Sequence, residues 1–194
     1  MTKALIVIDV QESFRARPLW RALNNPDLID NVHRLVEAAR AAGDRVIWVL
    51  HEEPGSDGEF DPANGFVRVL DELKPAADEA IVRKTSHNAF TTTNLQQMLT
   101  EARITELAVC GIRTEQCVET TTRVASDFGY AVTFLTDATG TFPIPHWAAP
   151  SGRSVEELLA DPRTLGAADV VARTEYALAG RFADVRSVDD YLGA

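Results

Sequence analysis

Apolar runs and amphipathic stretches alternate along this chain in a regular order. Residues 4–9, ALIVID, are almost continuously apolar, the pattern of a strand covered on both faces. After a loop, residues 27–42 place Leu28, Val32, Leu35, Val36 and Ala39 at helical spacing, ending near Gly43. VIWVL (46–50) predicts a second buried strand and AIVRK (80–84) a third. Residues 94–101 read as a short helix and ELAVC (106–110) as a fourth strand. Residues 115–128 read as a helix with Cys117, Thr121, Val124 and Phe128 along one stripe, and AVTFLT (131–136) as a fifth strand. The C-terminal part predicts a helix over 163–180, a short strand near ADVRSV and a closing turn or helix.

Such alternation implies right-handed crossovers between parallel strands. The expected fold is α/β: a three-layer α/β/α, Rossmann-like arrangement with a largely parallel, roughly six-stranded sheet. Two segments break the pattern. Residues 52–65 are acidic and turn-rich, and residues 139–153 carry three prolines around His146 and Trp147. Both follow expected strands, where ligands bind in open α/β sheets, so both are candidates to overhang a site.

A length of 194 residues with 45 % hydrophobic content fits one domain spanning residues 1–194. The net charge of −10 and the lack of a basic cluster argue against nucleic acid or an anionic membrane as partner. The N-terminal MTKALIVIDV lacks the marks of a signal peptide, and no apolar run reaches membrane-spanning length. Cys110 and Cys117 are the only cysteines, too few for a disulfide framework. A cytoplasmic location is expected.

Candidate chemistry sits at strand ends. Asp9 closes the first strand, and Lys84, one of only three lysines, closes the third. A strand-end carboxylate in a buried setting requires compensation, which a lysine supplies. Cys117 follows the fourth strand through a Gly-containing turn, in the first turn of the expected helix. Thr114 is a candidate N-cap there, and the free amides and helix dipole favour an ionised thiol. A buried apolar cysteine is the competing reading.

Three separated motifs carry a resemblance: Asp9-Val10-Gln11-Glu12-Ser13-Phe14, Lys84-Thr85-Ser86-His87-Asn88-Ala89-Phe90, and Gly111-Ile112-Arg113-Thr114-Glu115-Gln116-Cys117-Val118. In order, and each after an expected strand, they resemble the isochorismatase-like cysteine hydrolase superfamily, the relatives of nicotinamidase and N-carbamoylsarcosine amidohydrolase. The resemblance implies a catalytic triad of Asp9, Lys84 and Cys117, a cis peptide at Ile112–Arg113, and an oxyanion hole from the backbone amides of Arg113 and Cys117. It implies cleavage of an amide or ureido bond in a small non-peptide substrate through an acyl-enzyme on Cys117, in a homodimer or homotetramer. Metal-binding nicotinamidases carry Asp-x-His after the second strand. This chain reads Leu50-His51-Glu52-Glu53, so neither metal nor other cofactor is expected. Asn88 stands where the motif usually has Ser. The nucleophilic Cys disfavours isochorismatase-type vinyl-ether cleavage.

Phe14, Trp20, His51 and Trp147 are the candidate substrate-binding residues, with His87 and His146 as loop caps or anion contacts. Arg113 is a candidate anion clamp or a surface ion pair. Two further hypotheses compete with hydrolysis: a non-catalytic oligomeric binding or scaffold member of the same fold, and a redox sensor pairing Cys110 with Cys117.

Overall fold

The computed structural model describes residues 3–193. Six strands form one sheet: β1 (Lys3–Ile8), β2 (Arg45–His51), β3 (Ala80–Lys84), β4 (Glu106–Ile112), β5 (Ala131–Gly140) and β6 (Asp184–Arg186). Their spatial order is β3-β2-β1-β4-β5-β6, and every neighbouring pair is parallel. The strand order reverses between β1 and β4, which places a crevice beyond the carboxyl ends of those two strands.

Apolar residues on both faces of each central strand explain the three layers. On β1, Leu5 and Val7 join one core cluster while Ala4, Ile6 and Ile8 join the other. The same alternation sends Trp48 and Leu50 of β2 to the first and Ile47 and Val49 to the second. The helices divide accordingly. Leu28, Val32, Leu35 and Val36 of α2 (Leu28–Ala42) and Val188 of α7 (Val188–Leu192) cover the first face. Leu95 and Leu99 of α3 (Leu95–Glu101), Ala125 of α4 (Glu119–Asp127) and Leu178 of α6 (Ala167–Leu178) cover the second. Two short helices complete the fold, α1 (Glu12–Arg15) and α5 (Val155–Ala160). Among the described residues, no helix is long and apolar enough to cross a membrane.

Two local features bear on function. The helix expected over 115–128 starts as a wide, π-type turn at Thr114–Val118, where the Val118 amide donates to the Arg113 carbonyl at 3.2 Å, and becomes regular only at Glu119. Strand β3 is an edge strand separated from β1 by β2, so Lys84 and Asp9 come from non-adjacent strands.

Candidate active site

Asp9 is the first residue past β1. Its backbone adopts φ of 54°, tolerated because a short polar side chain visits the left-handed region more readily than most, and its amide donates to the Val49 carbonyl at 2.8 Å. His51 ends β2, Lys84 ends β3, and the two are partners in the β2–β3 register. The Lys84 ammonium reaches inward across the end of β2. It donates to Asp9 Oδ2 at 2.8 Å, to Cys117 Sγ at 3.3 Å and to His51 Nδ1 at 3.4 Å. An ammonium carries three N–H donors, and here each has an acceptor. Asp9 and Lys84 are fully buried and Cys117 is 6 % exposed. The other carboxylate oxygen, Asp9 Oδ1, is buried and accepts no hydrogen bond from the protein.

The electrostatics correct the expectation of a readily ionised thiol. Burial pushes the Cys117 thiol well above its ordinary range, the nearby Asp9 carboxylate adds to this, and Lys84 opposes it. The resting sulfur is therefore protonated. Thr114 does not cap the turn. Its hydroxyl donates to Thr139 Oγ1 at 2.9 Å, which ties the turn to β5. The π-type geometry and the sealed surroundings override the stabilisation that an exposed helix start gives an anion.

The backbone around the sulfur is closely constrained. The Ile112–Arg113 peptide bond is cis. Gly111 has φ of 124°, and a Cβ there would sit 1.9 Å from the Ile8 carbonyl oxygen, so only glycine lets β4 run this close to the end of β1. Gln11 fastens the adjoining strand end: its Oε1 accepts from the His51 amide at 2.8 Å and its Nε2 donates to the His51 carbonyl at 2.9 Å. The D-x-Q motif contains this residue, but its role emerges only when β2 lies beside the loop.

Phe14 is buried, with Phe60 edge-on at 5.0 Å and Phe142 stacked at 6.1 Å. Phe60 also meets the His51 ring edge-on at 5.6 Å. Phe60 comes from the acidic loop and Phe142 from the Pro-rich segment, so the two irregular segments do converge, through aromatic residues the sequence pattern did not single out. Trp20 is half-buried against the first core cluster, with the Arg15 guanidinium 5.7 Å from its ring. Trp147 is 90 % exposed and its ring meets that of His146, 5.3 Å away. The structure brings neither tryptophan into contact with Asp9, Lys84 or Cys117. His146 Nδ1 accepts from the Ala148 amide at 3.1 Å, and His87 is exposed.

Arg113 is not a surface residue. It lies 3.2 Å from the mostly buried Glu115 and 5.3 Å from the Phe142 ring; burial lowers its pKa and Glu115 opposes that. Asn88 caps its own loop, its Oδ1 accepting from the Phe90 and Thr91 amides at 2.9 Å each. Cys110 and Cys117 belong to core clusters on opposite faces of the sheet, and both are free thiols. Among the described residues, no group of three or more His, Cys, Asp or Glu side chains is arranged to hold a metal ion.

Comparison with known proteins identifies the family. An isochorismatase domain profile matches residues 3–156. An isochorismatase family protein of Bacillus subtilis, YrdC, is 34 % identical over 140 residues, covering 72 % of this chain and 74 % of that protein. A streptothricin hydrolase of Streptomyces noursei is 40 % identical over 151 residues, covering 76 % of this chain but only 57 % of that enzyme. Among solved structures, a cysteine hydrolase from Pseudomonas syringae pv. phaseolicola superposes with a TM-score of 0.84 at 26 % identity, covering 99 % of this chain and 91 % of that one. With the domain match spanning most of the chain and the fold shared end to end, this protein belongs to the isochorismatase family and is a hydrolase of that family.

Proposed function

We propose that this hydrolase is a cysteine amidohydrolase that cleaves a C–N amide or ureido bond of a small non-peptide substrate. The observation that carries the reading is the Lys84 ammonium, within hydrogen-bonding reach of both the Asp9 carboxylate and the Cys117 sulfur. Asp9 Oδ1, buried and without a hydrogen-bond partner, is the base that takes the thiol proton as sulfur adds to the substrate carbonyl. Because the resting thiol is protonated, proton removal accompanies attack. Lys84 pairs with the Asp9 carboxylate and stabilises negative charge developing on sulfur. The backbone amides of Arg113 and Cys117 stabilise the tetrahedral oxyanion.

Protonated Asp9 then delivers its proton to the leaving nitrogen, and the amine departs as the C–N bond breaks. Water adds to the resulting thioester, giving its proton to Asp9. Collapse of the second tetrahedral intermediate breaks the C–S bond, and Asp9 returns the proton to sulfur. Phe14, Phe60 and Phe142 supply an apolar wall suited to a small planar substrate. The names of the streptothricin hydrolase and the cysteine hydrolase among the relatives support the reaction class.

The test is intact-mass detection of an acyl adduct on Cys117 against small amides, ureas and carbamoyl compounds, with Cys117→Ala as control. Turnover and adduct are both expected to vanish in Cys117→Ala, a loss of about a thousandfold or more. Full turnover in that variant ends the proposal. The near-complete burial of Cys117 favours one rival, a non-catalytic binding member of the fold, which predicts neither adduct nor turnover with any compound.

A further inference from the structure

The mechanism above uses two of the three Lys84 contacts and leaves the third, to His51, without a role. We infer that His51 is a positioning residue: its unprotonated Nδ1 accepts a hydrogen bond from the third N–H of Lys84 and holds the ammonium between Asp9 and Cys117. This rests on the reading of Cys117 as nucleophile and Asp9 as base.

A lysine ammonium is a compact charge on a flexible four-carbon stem, without the rigid fork that orients a guanidinium. Two acceptors leave such a group free to pivot, and a buried N–H with no acceptor is costly, so the ammonium would move toward whatever third acceptor it finds. His51 is built to supply that acceptor at one place. Its backbone amide and carbonyl are both held by Gln11, and it lies in register with Lys84 itself. Its ring is edge-on to Phe60, and its Nε2 lies 3.3 Å from Glu53 Oε1. Lysine only donates, so Nδ1 is the acceptor, and the ring proton belongs on Nε2, where Glu53 accepts it. Both contacts require the same tautomer.

The charged groups facing the ring are Lys84 from β3, Asp9 from the end of β1 and Glu53 from its own loop. Burial, then Lys84, lowers the imidazole pKa, with Asp9 and Glu53 opposing. His51 thus stays neutral to lower pH than an ordinary imidazole. Protonation at still lower pH sets an N–H against the ammonium, and the bridge to sulfur is lost.

The test measures carbamidomethylation of Cys117 by iodoacetamide from pH 5 to 9, followed by peptide mass mapping, in wild type, His51→Phe and His51→Asn. Asparagine can place its side-chain oxygen near the position of Nδ1 but does not titrate, whereas phenylalanine keeps the ring and removes the acceptor. His51→Phe is expected to slow alkylation about tenfold at neutral pH. His51→Asn is expected to recover to within about threefold of wild type while losing the acid limb that His51 protonation imposes. Nitrogen NMR of wild type is expected to show an unprotonated Nδ1 and a protonated Nε2.

A His51→Phe protein that matches wild type in rate and pH profile overturns the inference. If His51→Phe does not fold, an acid limb unchanged in His51→Asn, or a protonated Nδ1 at neutral pH, overturns it equally. Failure of the underlying reading is separable: wild type would then form no acyl adduct on Cys117 with any small amide, urea or carbamoyl compound, whatever the His51 variants do.

Discussion

The Lys84 ammonium and the Asp9 carboxylate meet at 2.8 Å with both side chains fully buried. The pair joins the edge strand β3 to the central strand β1 across the end of β2. Neither charge is tolerable there alone. Lys84→Met is therefore expected to destabilise the fold by about 3–5 kcal/mol, read from chemical denaturation, because it strands a buried carboxylate. Asp9→Asn keeps the shape but removes the base and strands the buried ammonium, so a loss of turnover of about a hundredfold or more is expected together with a destabilisation of about 3–5 kcal/mol. Equal activity in Asp9→Asn and wild type contradicts the assignment of the base.

Gly111 offers a test of how tightly the site is built. Alanine there must clear the Ile8 carbonyl oxygen, which lies 1.9 Å from the ideal Cβ position. We expect Gly111→Ala to cost about 3 kcal/mol or more and to separate the ends of β1 and β4. A variant that melts within a degree of wild type shows that the backbone relaxes there cheaply.

Gln11 satisfies both backbone groups of His51, donating to one and accepting from the other. Gln11→Leu fits the space but leaves the His51 amide and carbonyl without these partners. A loss of about 1–3 kcal/mol is expected, together with slower alkylation of Cys117, since the strand end that carries His51 is loosened. Unchanged stability and reactivity speak against the clamp.

Glu79 predicts a pH effect far from sulfur. Burial by itself pushes this carboxyl up, but the Arg40 guanidinium, the Trp48 indole N–H and the Ala76 amide outweigh it and hold the pKa below its ordinary value. A carboxylate depressed in the folded state adds stability above its unfolded pKa of about 4.3 and loses it as pH falls through the folded value. Glu79→Gln is expected to destabilise at neutral pH by about 1–3 kcal/mol and to flatten the fall in stability below pH 4.3. Parallel stability curves for the two proteins rule this contribution out.

The periodicity of the chain contained the architecture. Continuous apolar runs such as ALIVID and VIWVL demand cover on both faces, and helical stripes such as Leu28-Val32-Leu35 supply it, so a parallel three-layer fold follows from local pattern alone. Asp9, Lys84 and Cys117 were legible for a related reason: charged or thiol side chains at the ends of buried strands have few places to go. What local pattern does not contain is the order of strands in space. Only the fold puts β2 between β1 and β3, sets His51 in the path of Lys84, and gives Gln11 a strand end to hold. The protonated state of Cys117 was likewise decided by tertiary structure, because desolvation depends on how completely the surrounding elements close over the sulfur, and spacing along a chain carries no measure of that.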